Sequence, residues 1–147
     1  MNDAGVRPFS IRALLEDRAR YLVPMYQRNY AWGEGEITQL LQDVLDYQQK
    51  LVSGKGPQTY YIGTLVVFAR DDGSFEVIDG QQRFTTLSLL ANWLKHHAID
   101  SVDMSWYQTI NLAFESRPIS SHTFERLWQG VAPYDLRGST FNEGLVN

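Results

Sequence analysis

The sequence feature that most constrains the fold is a sharp change of pattern at residues 77–87. The apolar, β-branched pair Val77 and Ile78 leads into Asp79 and Gly80, and a helical pattern of apolar residues follows directly. A strand that ends in a glycine turn at the start of a helix exposes the N–H groups of the first helical turn, which carry a partial positive charge. This geometry binds phosphate without further groups. The stretch therefore predicts a strand–turn–helix unit with an anion-binding end.

Two interpretations of this turn are open, and they are compatible. In the first, Asp79 is the N-cap of the helix and Gln82 is its partner at the third helical position, which forms a capping box. In the second, Arg83 and the helix N-terminus bind an anion together. A cation in the first turn is repelled by the positive end of the helix macrodipole, and an anion bound between them makes this interaction favourable. A capped helix can still present Gln81 and Arg83 to a ligand.

Composition restricts the classes of function. The 147 residues carry a net charge of −4, so a broad basic face for nucleic acid is not indicated, and phosphate contacts must come from a few placed arginines. The lack of cysteine excludes disulfides, thiol nucleophiles and metal–thiolate sites. Because no apolar run has the length of a membrane span and no signal-peptide pattern is present, a cytoplasmic protein without membrane contact is expected.

The order of patterns predicts a mixed α/β (α+β) domain with a small, mostly antiparallel sheet and helices around it. After a loose start at residues 1–8, this domain is expected to occupy residues 9–133, and residues 134–147 are expected to begin an unfinished C-terminal region. Residues 34–51 carry an apolar stripe at helical spacing, which predicts a scaffold helix. A nearly continuous apolar run at residues 60–69 predicts a buried central strand. A hairpin turn and a return strand then lead to Asp79.

The segment at residues 24–32 shows neither a helical nor a strand period. It interleaves aromatic rings with polar side chains, namely Tyr26, Gln27, Arg28, Tyr30 and Trp32. One interpretation is a loop whose rings pack on the core. The other is a ligand wall, in which the rings stack on a base while Gln27 and Arg28 make polar contacts.

Several catalytic patterns are absent from the sequence. It contains no Gly-x-x-x-x-Gly-Lys run and no nucleophile elbow around a serine, and its three histidines form no metal-binding pattern. Asp79 can hold Mg²⁺ beside a phosphate, and Gln81 or Gln82 can orient a water for attack on a phosphoryl group. Such chemistry depends on positioning and charge rather than on a covalent nucleophile.

These segments occur in the order seen in one family. They are Pro24-x-Tyr26-Gln27-Arg28-x-Tyr30-x-Trp32, Tyr61-x-Gly63, Asp79-Gly80-Gln81-Gln82-Arg83-x-Thr85-Thr86-Leu87 and Leu112-x-Phe114-x-x-Arg117. On these residues the chain resembles the N-terminal domain of GmrSD-type restriction endonucleases, which is similar to the ParB/sulfiredoxin-like fold. The Asp-Gly-Gln-Gln-Arg string is the most specific of the four.

The resemblance implies a site that binds and hydrolyses a nucleoside triphosphate, with Mg²⁺ as cofactor. The residues expected to be catalytic are Asp79, Gln81, Gln82 and Arg83, with Asp79 as metal ligand or helix cap. The nucleotide-binding set is Gly80, Gln81, Arg83, Gln27, Arg28 and Arg117. In full-length members the domain regulates a nuclease that acts on modified, often phage, DNA, so DNA and a nuclease domain or subunit are expected partners. Sulfiredoxin chemistry is excluded, because this chain has no cysteine.

The expected function is therefore a nucleotide-binding, NTP-hydrolysing regulatory domain of a restriction or phage-defence protein, and nothing in this chain supports nuclease activity. An alternative is a non-catalytic DNA-binding module that uses Arg28, Arg83 and Arg117 on backbone phosphates and Tyr26, Tyr30 or Trp32 on a base. A third reading is a partner-docking domain that binds no small ligand.

Overall fold

The computed structural model describes residues 5–27, 30–55, 59–115 and 118–131. Its elements run in the order α1 (Ile11–Glu16), β1 (Tyr21–Val23), α2 (Glu34–Val52), β2 (Val66–Ala69), β3 (Phe75–Asp79), α3 (Gln81–His97), β4 (Leu112–Phe114) and α4 (Pro118–Trp128). The α+β prediction is confirmed. The predicted site residues Arg28 and Arg117, and the region at residues 134–147, lie outside the described residues.

The four strands form one mixed sheet in the order β2-β3-β1-β4. Strands β2 and β3 pair antiparallel, as the hairpin at residues 71–74 predicts. Strand β1 instead lies parallel to both β3 and β4, so two of the three pairings among the described residues are parallel. Parallel neighbours need long crossover connections. Strand-forming patterns indicate where strands occur but not which strands become neighbours across such crossovers.

Strand β2 differs from the predicted buried central strand. It lies at the edge of the sheet and spans only Val66–Ala69, with Phe68 59% exposed. The preceding residues, 60–65, are not part of the strand. The prediction of a central strand is wrong because apolar and β-branched composition reports a fit to a pleated surface, not a position within the sheet.

Helix α3 is the central element of the core. Its residue Phe84 joins the main hydrophobic cluster, whose other buried members are Tyr21, Val23, Tyr30, Val77, Leu112, Phe114 and Phe124. Two turns further along the same face of α3, Ala91 joins a second cluster with Leu15, Met104 and Tyr107. Phe84 thus packs the first turn of α3 against residues of β1, β3 and β4.

Helix α2 has its predicted start but is not buried as a scaffold helix would be. Leu40 is its buried residue, whereas Leu45 is 51% and Val52 83% exposed. At its start, the Gly33 N–H donates to Glu36 Oε2 at 3.0 Å. The predicted helix is confirmed, but its apolar stripe is only partly covered, because a periodic stripe does not show what packs against it. None of the helices within the described ranges is long and apolar enough to cross a membrane.

Candidate functional site

The candidate site begins where β3 passes into α3. Gly80 is the N-cap of α3 with a φ of 94°, and a Cβ at this position would lie 2.8 Å from the Thr64 carbonyl oxygen. Both the backbone conformation and the lack of space require glycine. The Asp79 side chain accepts a hydrogen bond from the Gly80 N–H at 2.9 Å. The predicted capping box of Asp79 and Gln82 is therefore wrong, since the cap position belongs to Gly80.

The N-terminus of α3 points into the site. The Phe84 N–H donates to the Gly80 carbonyl at 3.0 Å, which is the first hydrogen bond of the helix. The N–H groups of the three preceding residues therefore point out of the helix end. The first turn contains no acidic residue and carries the positive charge of Arg83, while the Asp79 carboxylate lies just before the N-cap.

Gln82 holds the aromatic segment against this turn. Its buried Oε1 accepts a hydrogen bond from the Ala31 N–H at 2.7 Å. One helical turn later, the Thr86 hydroxyl lies 2.9 Å from the Tyr30 hydroxyl. Burial raises the pKa of Tyr30, which is 8% exposed. Tyr30 is thus a core residue, and its predicted role in stacking on a ligand is wrong.

Tyr26 and Gln27 both form hydrogen bonds to residues of β3. The Gln27 Nε2 donates to the Ile78 carbonyl at 3.0 Å. The Tyr26 hydroxyl donates to Glu76 Oε1 at 2.5 Å, and this bond raises the pKa of Tyr26. Glu76 is also ion-paired with Arg70 at 3.1 Å. These contacts place Gln27 beside the turn, while Tyr26 lies 67% exposed and is committed to Glu76.

A cavity of about 220 Å³ lies at the turn, and we call it the turn cavity. Its lining brings together most of the predicted site: Gln27, Trp32, Asp79, Gly80, Gln81, Gln82 and Arg83. Of the three aromatic candidates, Trp32 lines this cavity, whereas neither Tyr26 nor Tyr30 is part of the lining. Residues distant in sequence therefore meet at the start of α3, as expected for a single site.

The Arg83 side chain lies over Gly63. A Cβ at Gly63 would be 2.2 Å from Arg83 Nη1 and 2.5 Å from Cζ. Within the part of the chain that the structure describes, the guanidinium forms no hydrogen bond or ion pair. Sequence reasoning noted Gly63 only as part of a short string, because nothing local indicates that an arginine further along the chain needs the space.

A second cavity of about 520 Å³ adjoins the first, and we call it the α2 cavity. It shares Trp32 and Arg83 with the turn cavity, and its other lining residues are Gly35, Glu36, Gln39, Leu40, Asp43, Tyr60 and Ile62. Backbone hydrogen bonds, from its own N–H and that of Gly33, lower the pKa of Glu36. The α2 cavity is thus lined by two carboxylates. Sequence reasoning missed it, since residues 60–62 were assigned to a buried strand.

Among the described residues that line the turn cavity, Asp79 is the one whose side chain can bind a metal ion. It is exposed and is the acidic residue of the turn-cavity lining. Among the described residues no group of three or more His, Cys, Asp or Glu side chains forms a metal site. Mg²⁺ is commonly held by one or two carboxylates together with substrate phosphates. The residues present therefore fit an ion that arrives with a phosphate ligand.

The chain was compared with known protein families and with curated proteins. Residues 11–144 match the family described as GmrSD restriction endonuclease, N-terminal domain. The matched range contains both cavities and the Asp-Gly-Gln-Gln-Arg string, so the resemblance drawn from these strings is confirmed. A comparison with curated proteins gave no match. The chain belongs to the GmrSD restriction endonuclease N-terminal domain family.

Proposed function

We propose that this chain is a nucleoside-triphosphate-binding regulatory domain of a DNA restriction or phage-defence protein, with the phosphates bound in the turn cavity. Membership of the family supports the restriction context. The observation that carries the nucleotide part is Arg83. Its guanidinium lines the turn cavity, lies in the first turn of α3 and has no anionic partner among the residues described.

The energetics of this position favour an anion. A cation in the first turn of a helix is unfavourable by ~0.3–1 kcal/mol, because it lies at the positive end of the macrodipole. A phosphate between Arg83 and the N–H groups of the turn would replace this repulsion by charge-assisted hydrogen bonds, which are about twice as strong as neutral ones. At about 220 Å³ the turn cavity suits a phosphate chain rather than a whole nucleotide.

Hydrolysis of the bound triphosphate is the second part of the proposal. When bound, Mg²⁺ would neutralise phosphate charge, and Asp79 is the residue that would hold it. Gln81 lies in the lining of the turn cavity and is the better candidate to orient a water. Gln82 has a different role, since its side-chain oxygen accepts the Ala31 N–H and so positions the segment that carries Trp32.

The partners follow from the family rather than from the fold. We propose that in the full-length protein the domain works with a nuclease domain or subunit and with DNA, and that nucleotide binding regulates this nuclease. A restriction system acts on DNA inside the cell, which supports a cytoplasmic location.

The test is calorimetric titration of Mg²⁺ complexes of ATP, GTP, CTP and UTP, and of inorganic tripolyphosphate, into the wild type and Arg83→Ala. Loss of one charge-assisted contact corresponds to ~1.5–3 kcal/mol, or roughly 10- to 100-fold in affinity. The control is Arg126→Ala, which removes the same charge from the exposed face of α4. All variants should retain the wild-type melting temperature within a few degrees.

Equal affinity of the wild type and Arg83→Ala would refute the proposed site. If no triphosphate binds but a DNA duplex does, with affinity that falls steeply as salt rises, the function is DNA contact instead.

A further inference from the structure

We infer that the α2 cavity holds the nucleoside part of the same ligand, with the base against Trp32 and the carboxylate of Asp43 as the acceptor that selects it. This inference rests on the proposed function. The two cavities share Trp32 and Arg83, so one ligand can extend from the turn cavity into the α2 cavity between these side chains. With a volume of about 520 Å³, the α2 cavity falls within the usual range for small-molecule sites.

The charges that line the two cavities determine which part of the ligand binds in each. The turn cavity has the helix N-terminus and the Arg83 guanidinium, which attract phosphate. The α2 cavity has Glu36 and Asp43 in its lining, and Arg83 at the junction is its cation. A phosphate chain is repelled by these carboxylates, whereas a neutral nucleoside that carries N–H and O–H donors is not. The phosphates therefore belong in the turn cavity and the nucleoside in the α2 cavity.

The two carboxylates differ in what they can offer a ligand. Glu36 is exposed and accepts two backbone hydrogen bonds, one from the Gly33 N–H at 3.0 Å and one from its own N–H, so it is occupied in capping α2. Asp43 Oδ1 accepts a hydrogen bond from Gln39 Nε2 at 2.7 Å. The second oxygen of Asp43 forms no hydrogen bond within the described part of the chain. Asp43, which is partly buried, is therefore the acceptor available to a ligand in this cavity.

Two aromatic side chains supply flat surfaces in the same cavity. Trp32 packs on the main hydrophobic cluster and also lines both cavities, so part of its ring system faces the ligand space. Tyr60 is stacked on Tyr47 with ring centroids 5.1 Å apart, which fixes its orientation. Any nucleobase can stack on such a ring. Stacking therefore supplies affinity for a nucleoside, and the Asp43 carboxylate supplies the preference for a donor.

The donor that meets Asp43 is either an N–H group of the base or the 2′-hydroxyl of the ribose, and both place a hydrogen on the same carboxylate oxygen. The test variant is Asp43→Asn, which keeps the shape of the side chain on a mostly exposed helix and removes its charge. The matched control is Asp46→Asn, because Asp46 accepts the equivalent bond from Gln42 Nε2 at 2.8 Å but does not line the cavity.

The probes are the Mg²⁺ complexes of ATP, GTP, CTP and UTP, their 2′-deoxy forms, and tripolyphosphate, each titrated by calorimetry. Asp43→Asn is expected to weaken the preferred nucleoside triphosphate by about 10-fold, the usual effect of losing a hydrogen bond to a charged group. Tripolyphosphate should bind to this variant as well as to the wild type or better, since removal of a negative charge favours polyanions. Asp46→Asn should not weaken either ligand.

Opposite responses of nucleotide and tripolyphosphate support the inference. If Asp43→Asn weakens the ribonucleotides but not their 2′-deoxy forms, the donor is the ribose hydroxyl. If it weakens both forms, the donor is the base. If Asp43→Asn leaves nucleotide affinity unchanged, or raises it together with that of tripolyphosphate, the inference is overturned while the proposed function stands. If neither tripolyphosphate nor any nucleotide binds to the wild type, both fail together.

Discussion

Replacing Gly63 by alanine tests whether the Arg83 guanidinium belongs to an anion site without changing the arginine itself. The added Cβ would lie 2.2 Å from Nη1, and ordinary contacts begin at 3.4 Å, so the guanidinium must move by about 1.2 Å. Because the contacted atoms are the far end of a flexible side chain, this movement is possible without rearrangement of the backbone. The perturbation therefore acts on the position of one charge.

The expected effect on binding follows from this displacement. Hydrogen bonds from N–H to oxygen span only ~2.7–3.2 Å, so a shift of this size breaks a bond to an anion in the turn cavity. A charge-assisted bond contributes ~1.5–3 kcal/mol. Affinity for tripolyphosphate and for Mg²⁺–nucleoside triphosphates should therefore fall by roughly 10- to 100-fold, as measured by calorimetry. The positive φ of 147° adds a loss of stability of ~1–3 kcal/mol, measured by urea unfolding.

A second glycine separates these two effects. Gly73, in the hairpin turn, has a φ of 85° and nothing within 4 Å of an added Cβ, so Gly73→Ala introduces backbone strain without touching an arginine. It should lose stability and keep its affinity. If Gly63→Ala binds tripolyphosphate as tightly as the wild type, the reasoning about Arg83 is refuted. The double variant with Arg83→Ala should bind no more weakly than Arg83→Ala alone, since both changes act on one contact.

Two further predictions concern residues outside the binding contacts. Tyr30→Phe should lower the free energy of unfolding by ~1 kcal/mol, because it removes the buried hydrogen bond to Thr86. Nucleotide affinity should stay unchanged. A loss of affinity at unchanged stability would contradict the place of Tyr30 in the core. Asp72 accepts two hydrogen bonds from Ser74, which lower its pKa. Its contribution to stability should therefore be present above the usual carboxyl pKa near 4 and disappear as the pH falls through the lower folded-state pKa. The urea midpoint of Asp72→Asn should lie below that of the wild type at pH 7 and converge with it in acid, and a gap that is constant with pH would be inconsistent with this account.

Helix α3 and the turn before it were predictable because their signals are local. The glycine, the apolar spacing and the basic residues of the last turn all lie within residues 80–97, and the helix observed is the one predicted, Gln81–His97. The place of Gln27 at this turn was also expected, but from the family resemblance rather than from physical spacing, and Trp32 was expected only as a ring that could stack on a base. Local chemistry thus predicts the strand–turn–helix unit on its own.

The roles of the three aromatic candidates could not be read from the sequence. The segment has no period, and the side chain that faces the core is decided by distant partners. The Tyr30 hydroxyl meets Thr86 and the Ala31 N–H meets Gln82, both across more than fifty positions of chain. These two bonds bury Tyr30 and leave Trp32 at the cavity. The α2 cavity could not be predicted from the sequence either. Its walls come from α2 and from residues 60–62, and the apolar pattern of residues 60–69 had predicted that these residues belong to a strand.

The start of α3 combines several features that local preferences disfavour. Arg83 lies at the positive end of a helix dipole, and polar amide side chains are buried beside it. Gly63 and Gly80 both have positive φ; a Cβ at Gly80 would lie 2.8 Å from the Thr64 carbonyl oxygen, and a Cβ at Gly63 would displace the Arg83 side chain. In a sequence that is otherwise consistent with its fold, such conflicts are expected at functional sites. Bound phosphate would remove the first of these conflicts directly, because it would replace the repulsion between Arg83 and the helix dipole by attraction to an anion. Within the described part of the chain no group forms a hydrogen bond or ion pair with the Arg83 guanidinium, and this is the strongest physical argument for a ligand at the start of α3.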